Sequence, residues 1–327
     1  MEPVKLAVIG CGIAARDLHY PALIALTDKF EIVQVCNHTE PKARDFSRLV
    51  GGVPWVLDYR EVLANKEVEA VDITLPIEFN YEVTRAAVEA GKHVILEKPL
   101  AVDTEEARKL VDLAENYKGV CLLAENFRYR PGLRALRDLL MDGHIGRPYA
   151  LLWNYHGLME ESNKYARTEW RIKHKYEGGF ITDGGVHNIA GIRFLAGDIV
   201  KYQALARQIN PAIGEMDTFS MQFETDQGIS GTLNLFQSSN GYLENKVLLL
   251  GTGGALKLED NTLTLHHRDQ VIETIHFEED KGFQEEFEDF FQAIRTGSKV
   301  VSSFREGYRD LEIILGAIAH AKKWRSV

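Results

Sequence analysis

Val4-Lys5-Leu6-Ala7-Val8-Ile9-Gly10-Cys11-Gly12-Ile13-Ala14-Ala15 is the stretch that decides the fold. An apolar run of strand length enters Gly10-Cys11-Gly12-Ile13-Ala14-Ala15, which fits G-x-G-x-x-A. Gly10 falls where the chain must turn sharply and Gly12 where backbone must come close to a pyrophosphate. Ala15 falls where a new helix packs on the strand. The free N–H groups opening that helix face the phosphates. An ordinary strand-to-helix turn could carry the same hexapeptide. A second apolar run, Glu31-Ile32-Val33-Gln34-Val35-Cys36, separates the two readings, because it arrives where a βαβ unit needs its next strand. Dinucleotide binding by Gly10, Gly12, Ile13, Ala14 and Ala15 is the expectation.

Outward from this unit, strands and helices alternate as far as residue 124. Apolar runs at Ala70–Leu75, His93–Leu96 and Val120–Ala124 are separated by helical stretches at Phe79–Ala90 and Thr104–Tyr117, the latter with Thr104 read as its N-cap. The pattern predicts an α/β fold. Residues 1–124 form an N-terminal doubly wound parallel sheet of Rossmann type, with its ligand at the C-terminal strand ends. After Tyr129 the texture changes. Eight strand-like runs between Tyr149 and His276, with turn signals such as Asp226-Gln227-Gly228, predict a C-terminal α+β domain over 125–327 with a large, mostly antiparallel sheet. A helix-like Asp183–Leu195 lies between its first two strands. Phe283–Arg295 and Glu306–Lys323 read as closing helices, the last (about 306–323) apolar enough to be expected to dock on the first domain. Leu233–Phe236 and Val247–Leu250 read as apolar on both faces, which predicts a homodimer or homotetramer.

A length of 327 residues suggests two domains, and 45% apolar residues allow each a proper core. A formal net charge of −10 with no basic block argues against a nucleic-acid partner. No apolar segment approaches the ~20 residues of a membrane span. Met1-Glu2-Pro3 runs straight into the first strand without an export pattern. Cys11, Cys36 and Cys121 lack metal-ligand spacing and read as buried thiols of a cytoplasmic protein.

Two clusters could carry chemistry. Glu97-Lys98-Pro99 ends a buried strand on the edge where an open α/β sheet presents its ligand. A lysine there can donate to a substrate oxygen and stabilise growing negative charge, although a Glu-Lys pair is also ordinary surface. In Asp183-Gly184-Gly185-Val186-His187 the i, i+4 spacing puts a carboxylate and an imidazole on one helix face. That is an acid/base arrangement working near neutral pH. A helix N-cap Asp beside a buried His is the bland alternative. No third ligand stands at a recognisable spacing, so no metal is expected.

These blocks together resemble the family of glucose-fructose oxidoreductase, inositol dehydrogenase and the rhizopine-catabolism protein MocA. The resemblance covers essentially the whole chain. It rests on Gly10-Cys11-Gly12, on Ala90 through Leu100, on Ala124-Glu125-Asn126-Phe127-Arg128-Tyr129-Arg130-Pro131, on Gly143 through Pro148, on Trp170-Arg171 and on Gly178 through His187. It implies an NAD(P)-dependent dehydrogenase or reductase acting on CH–OH groups of a sugar, polyol or cyclitol. By the resemblance His187 moves the hydroxyl proton, Asp183 holds its ring and Lys98 binds the reacting oxygen. Cofactor contacts come by the same resemblance from the glycine turn, Thr74, Leu75, Pro76, Glu97, Lys98, Trp170 and Arg171. Asn80, where many relatives carry His, is counted with them. Phe180 replaces a glycine often found before the catalytic Asp.

Asn37 and His38 stand where NAD-specific relatives usually place an acidic residue, and with Lys42 and Arg44 close behind, NADP is slightly favoured over NAD. A non-catalytic nucleotide-binding regulator of the same fold is one alternative. An NAD-dependent glycoside hydrolase is another.

Overall fold

The computed structural model describes residues 1–278 and 281–323. The chain divides into two compact units, Met1–Asn126 with Gly282–Arg309, and Phe127–Lys281 with Asp310–Val327.

The first unit holds six strands, β1 Val4–Ile9, β2 Phe30–Cys36, β3 Trp55–Val56, β4 Ala70–Ile73, β5 His93–Glu97 and β6 Cys121–Ala124. All pairings are parallel and the order is β3-β2-β1-β4-β5-β6. The order reverses between β1 and β4, and at such a switch point the strand ends diverge to leave room for a ligand. Strands covered on both faces need near-continuous apolar sequence, which explains why Val4, Leu6, Ala7, Val8 and Ile9 are all buried. One cluster packs Val4, Leu6, Leu23, Leu26, Phe30, Ile95 and Leu122 against Phe287, Phe290 and Phe291. A second packs Val8, Cys11, Ala15 and Val35 against Phe46. The helix Phe283–Thr296, which sequence groups with the C-terminal stretch, is thus part of the first unit, because its phenylalanines complete that sheet's core.

The helix after the glycine turn opens as a π-helical turn over Ala15–His19 before becoming α-helical at Tyr20–Ala25. The N-cap of Thr104–Glu115 is Asp103 and not Thr104. Asp103 is extended, and its carboxylate accepts from the Glu106 N–H at 2.8 Å. Cys121 is only half-buried, against the expectation of burial.

The second unit holds β7 Pro148–His156, β8 Ile199–Arg207, β9 Thr218–Thr225, β10 Ser230–Phe236, β11 Glu244–Gly251, β12 Ala255–Glu259, β13 Thr262–His267 and β14 Gln270–His276. Their order is β14-β13-β12-β11-β7-β10-β9-β8, antiparallel except for the β10–β7 pair. Leu151, Trp153, Phe219, Met221, Leu233, Leu235, Val247 and Leu249 form the buried face. The helix Phe180–Ala196 is apolar on nearly every side and is correspondingly buried. It lies so close to the sheet that a Cβ at Gly191 would fall 2.7 Å from the Trp153 ring. The outer face is mixed and not apolar. Leu152, Leu248 and Leu250 are half-exposed beside a polar row in which Asn234 donates to Asn154 at 2.9 Å and the Ser220 hydroxyl donates to Asn234 at 2.6 Å.

Candidate active site

Gly10 has φ +106°, and a Cβ there would lie 2.5 Å from the Thr74 carbonyl oxygen, so glycine is required by both conformation and contact. Thr74, just beyond β4, fixes the turn by donating its hydroxyl to the Gly10 carbonyl at 2.7 Å. Gly12 differs. A Cβ there would meet no atom of the described residues within 4 Å, so none of them demands glycine. A dinucleotide pressed against bare backbone would demand it, and the residues fit such a group. Asn37 is buried, and its side chain serves the turn itself, accepting from the Cys11 N–H and donating to the Thr39 carbonyl, both at 3.3 Å. His38 is exposed. Burial pushes the Cys11 thiol up to about 12 while Arg16 and Lys42 pull it down, which puts both cations within electrostatic reach of the turn.

The Glu97-Lys98-Pro99 turn leaves the end of β5 with a cis Lys98–Pro99 peptide. Asn80 is buried, and its amide donates to the Glu97 carbonyl at 3.1 Å and to the Pro99 carbonyl at 2.8 Å, gripping the backbone on either side of Lys98. The Glu97 carboxylate meets His19 Nε2 at 3.1 Å. Lys98 itself is half-exposed. Leu75 and Pro76 are half-exposed beside buried Thr74. The ends of β1, β4 and β5, adjacent in one sheet, therefore bring together the glycine turn, Thr74 and Lys98.

In the second unit Asp183 lies inside the helix Phe180–Ala196, whose N-cap is Gly179, so Asp183 is not an N-cap. Asp183 and His187 are one turn apart on one face. Asp183 is 6% exposed and accepts from Arg171 Nε at 2.7 Å. The Arg171 guanidinium lies 4.0 Å from the centre of the Trp170 ring and 5.2 Å from that of Tyr165. Burial and the nearby Asp183 push the Tyr176 hydroxyl up, against the pull of Arg171. The His187 ring is half-exposed and stacks on Phe127 at 4.7 Å and 15°. Phe127 in turn lies 6.1 Å from Trp153 and carries Arg130 over its ring at 4.9 Å. An imidazole held flat on a ring keeps one orientation, which a proton-transfer group needs.

Sequence reasoning missed Arg16, His19, Phe127 and Arg130 as parts of these sites. Phe127 and Arg130 sit in the Asn126–Pro131 block, whose alternation of rings and guanidinium groups was the available signal. Among the described residues, no group of three His, Cys, Asp or Glu side chains could hold a metal ion, and no helix is long and apolar enough to cross a membrane.

Comparison with known proteins places these features. Residues 4–125 match the oxidoreductase family with the NAD-binding Rossmann fold, GFO_IDH_MocA, and residues 133–257 match the GFO/IDH/MocA C-terminal domain. An oxidoreductase from Thermotoga maritima superimposes with a TM-score of 0.92 at 36% identity, covering 98% of this chain and 97% of that one. An uncharacterized protein of Saccharomyces cerevisiae is 36% identical over 220 residues, which are 66% of this chain but only 62% of that protein's length. The D-xylose 1-dehydrogenase [NADP(+)] of Haloarcula marismortui is 25% identical over 96% of this chain and 89% of its own.

Proposed function

Because this chain belongs to the Gfo/Idh/MocA family of NAD(P)-dependent oxidoreductases, we propose that it passes a hydride between a nicotinamide and a secondary alcohol, or its carbonyl, on a sugar, polyol or cyclitol. The observation that carries the reading is the gathering of the glycine turn, Thr74 and Lys98 at three adjacent strand ends. The nicotinamide, when bound, accepts or returns the hydride. His187 takes the hydroxyl proton in oxidation and gives it back in reduction. Asp183 holds the His187 ring. Lys98 donates a hydrogen bond to the reacting oxygen and stabilises the negative charge that grows on it. The sugar-like class is supported by the D-xylose dehydrogenase among the relatives. The test follows reduced-cofactor absorbance across sugars, cyclitols and their keto forms, with NAD and NADP in parallel. Turnover of at least one is expected. Nucleotide binding without any turnover would favour a regulator, and cleavage of aryl glycosides by protein with permanently bound NAD would favour a hydrolase.

NADP is accepted at least as well as NAD. No acidic side chain closes β2 to repel a 2′-phosphate, and Arg16 and Lys42 supply positive charge near the turn. NADH binding tighter than NADPH by more than about tenfold, ~1.4 kcal/mol, would overturn this. The protein forms a homodimer or homotetramer through the outer face of the second unit's sheet, where Leu152, Leu248 and Leu250 are half-exposed. A monomer mass near 36.9 kDa by light scattering would count against it. Three free cysteines fit a reducing cytoplasm, and cell fractionation finding the protein elsewhere would refute that location.

A further inference from the structure

Beneath the Lys98 turn, inside the first unit, lies a group of buried ionisable side chains that the proposed reaction does not use. His19 is 1% exposed and Asp72 0%. His19 Nδ1 lies 2.9 and 3.0 Å from the two Asp72 oxygens, and its Nε2 lies 3.1 Å from Glu97 Oε1. The helix Phe283–Thr296 covers the ring with Phe287 edge-on at 5.3 Å and Phe283 at 6.0 Å, and brings Glu286 into the same region. Glu125, also fully buried, acts electrostatically on Glu286 together with Asp72 and Glu97. An ionised carboxylate only accepts hydrogen bonds, and a neutral imidazole has one N–H to give. Contacts at both ring nitrogens therefore call for an imidazolium. Burial alone would lower the pKa of His19, but Asp72 and then Glu97 outweigh it and hold the ring well above its ordinary value.

We propose that His19 is a positioning residue of the active site: as a buried imidazolium tied to Asp72, it fixes the Glu97 side chain and so sets where the next residue, Lys98, presents its ammonium group. The proposal rests on the reading of Lys98 as the group that binds the reacting oxygen. Fold stability does not account for the arrangement, since well-packed apolar side chains commonly replace a buried ion cluster at no cost. Position does. Asn80 grips the backbone on both sides of Lys98, and His19 grips the side chain immediately before it. The π-helical turn Ala15–His19 ends on this ring, so the segment that follows the glycine turn also reaches the support of Lys98.

The test uses the full chain, the sugar that turns over fastest in the screen above, and the variants His19→Gln, Lys98→Ala and their combination. His19→Gln keeps a donor but removes the charge. Glu97 then loses its charged partner and Lys98 its fixed position, so kcat should fall about tenfold or more while KM for the cofactor stays within about threefold of the parent. A purely structural role would lower thermal stability without that selective loss of kcat. In the Lys98→Ala background, His19→Gln should cost less than about threefold further, because the two act through one group. Independent losses that multiply would overturn the proposal. So would full activity of His19→Gln alongside a damaged Lys98→Ala, whereas an active Lys98→Ala would instead overturn the function proposed for that lysine. Nitrogen-15 NMR of the parent protein's histidines needs neither substrate nor a folded variant. It should find His19 doubly protonated at pH ~7, and a neutral tautomer there would refute the proposal.

Discussion

In the first unit the groups offered to a ligand are held by backbone and by buried charge, whereas in the second the central side chain is held by rings. Gly10, Gly12 and Thr74 shape the glycine turn through main-chain geometry, and Lys98 is gripped by Asn80 and its neighbour Glu97 by His19. His187 instead lies flat on Phe127, with Trp153 and Arg130 behind it, while Asp183 is tied to Arg171. Backbone geometry fixes position within a few tenths of an ångström and cannot move without disturbing the sheet. A stacked ring is fixed in plane yet remains half-exposed, which suits the proton transfer proposed for His187. A phosphate site built on the first principle tolerates no added atom. A proton-transfer site built on the second tolerates graded damage.

The largest effects should come from removing the reacting groups. His187→Ala should lower kcat by about 10²- to 10⁴-fold and Lys98→Ala by about 10²- to 10³-fold, with Asp183→Asn intermediate because it keeps shape but weakens support for a charged ring. Cofactor Kd should change little in all three, because none removes a phosphate contact proposed for the glycine turn. If both alanine variants stayed within about threefold of the parent kcat, under ~1 kcal/mol of barrier, the regulator reading would take over. Next in size is Gly12→Ala. The new Cβ meets no atom of the described residues within 4 Å, so Tm should move by no more than about 2 °C, while cofactor Kd rises at least about tenfold through collision with the phosphates. Unchanged affinity would mean that the dinucleotide does not approach Gly12. Gly10→Ala is the control for the comparison, because its Cβ strikes the Thr74 carbonyl and should destabilise the fold itself by about 1–3 kcal/mol.

A smaller effect should follow from Phe127→Leu, which removes the ring beneath His187 but keeps apolar volume. An aromatic pair contributes about 0.5–1.5 kcal/mol beyond burial, so kcat should fall by about two- to tenfold, with KM for the cofactor unaffected. A parent-like kcat would mean that the stack does not orient His187.

These residues also mark what could be read before the fold was seen. Val4–Ile9 and the glycine turn were legible because a parallel strand and a phosphate turn impose rules on adjacent residues. The eight strands of the second sheet were legible as strand-like runs separated by turn signals. His19 was not, because its partners Asp72 and Glu97 are 53 and 78 residues away and belong to different strands. Phe127 and Arg171 were quoted within motifs, but stacking on His187 and pairing with Asp183 are relations that neither spacing nor period encodes. Asn37 and Asn80 were placed on the ligand side, yet their amides are spent on backbone of the glycine and lysine turns.

A last effect, on stability and not on turnover, tests the buried charge on which that contrast depends. Glu286 is fully buried, and neither of its carboxylate oxygens has a hydrogen-bond partner among the described residues. Burial raises its pKa well above the ordinary carboxylate range. The positive His19 opposes the shift, and Glu97, Glu125 and Asp72 reinforce it. The folded chain therefore keeps a proton on Glu286 that the unfolded chain releases near its ordinary pKa. For a pKa raised on folding, the contribution to stability is complete below the unfolded value and is lost as pH rises towards the folded one. The loss can reach about 1.4 kcal/mol per pH unit for one proton. Glu286→Gln keeps the shape and removes the titration. Its stability relative to the parent should therefore improve steadily as denaturant unfolding is repeated from pH ~5 to pH ~8. His19 also binds its proton more tightly in the folded chain and loses stability above its unfolded pKa, but it does so in both proteins and largely cancels from the difference. Parallel stability curves for the two proteins would mean that Glu286 is ionised in the fold. His19 would then face three carboxylates in place of two, and its hold on Glu97 would be shared.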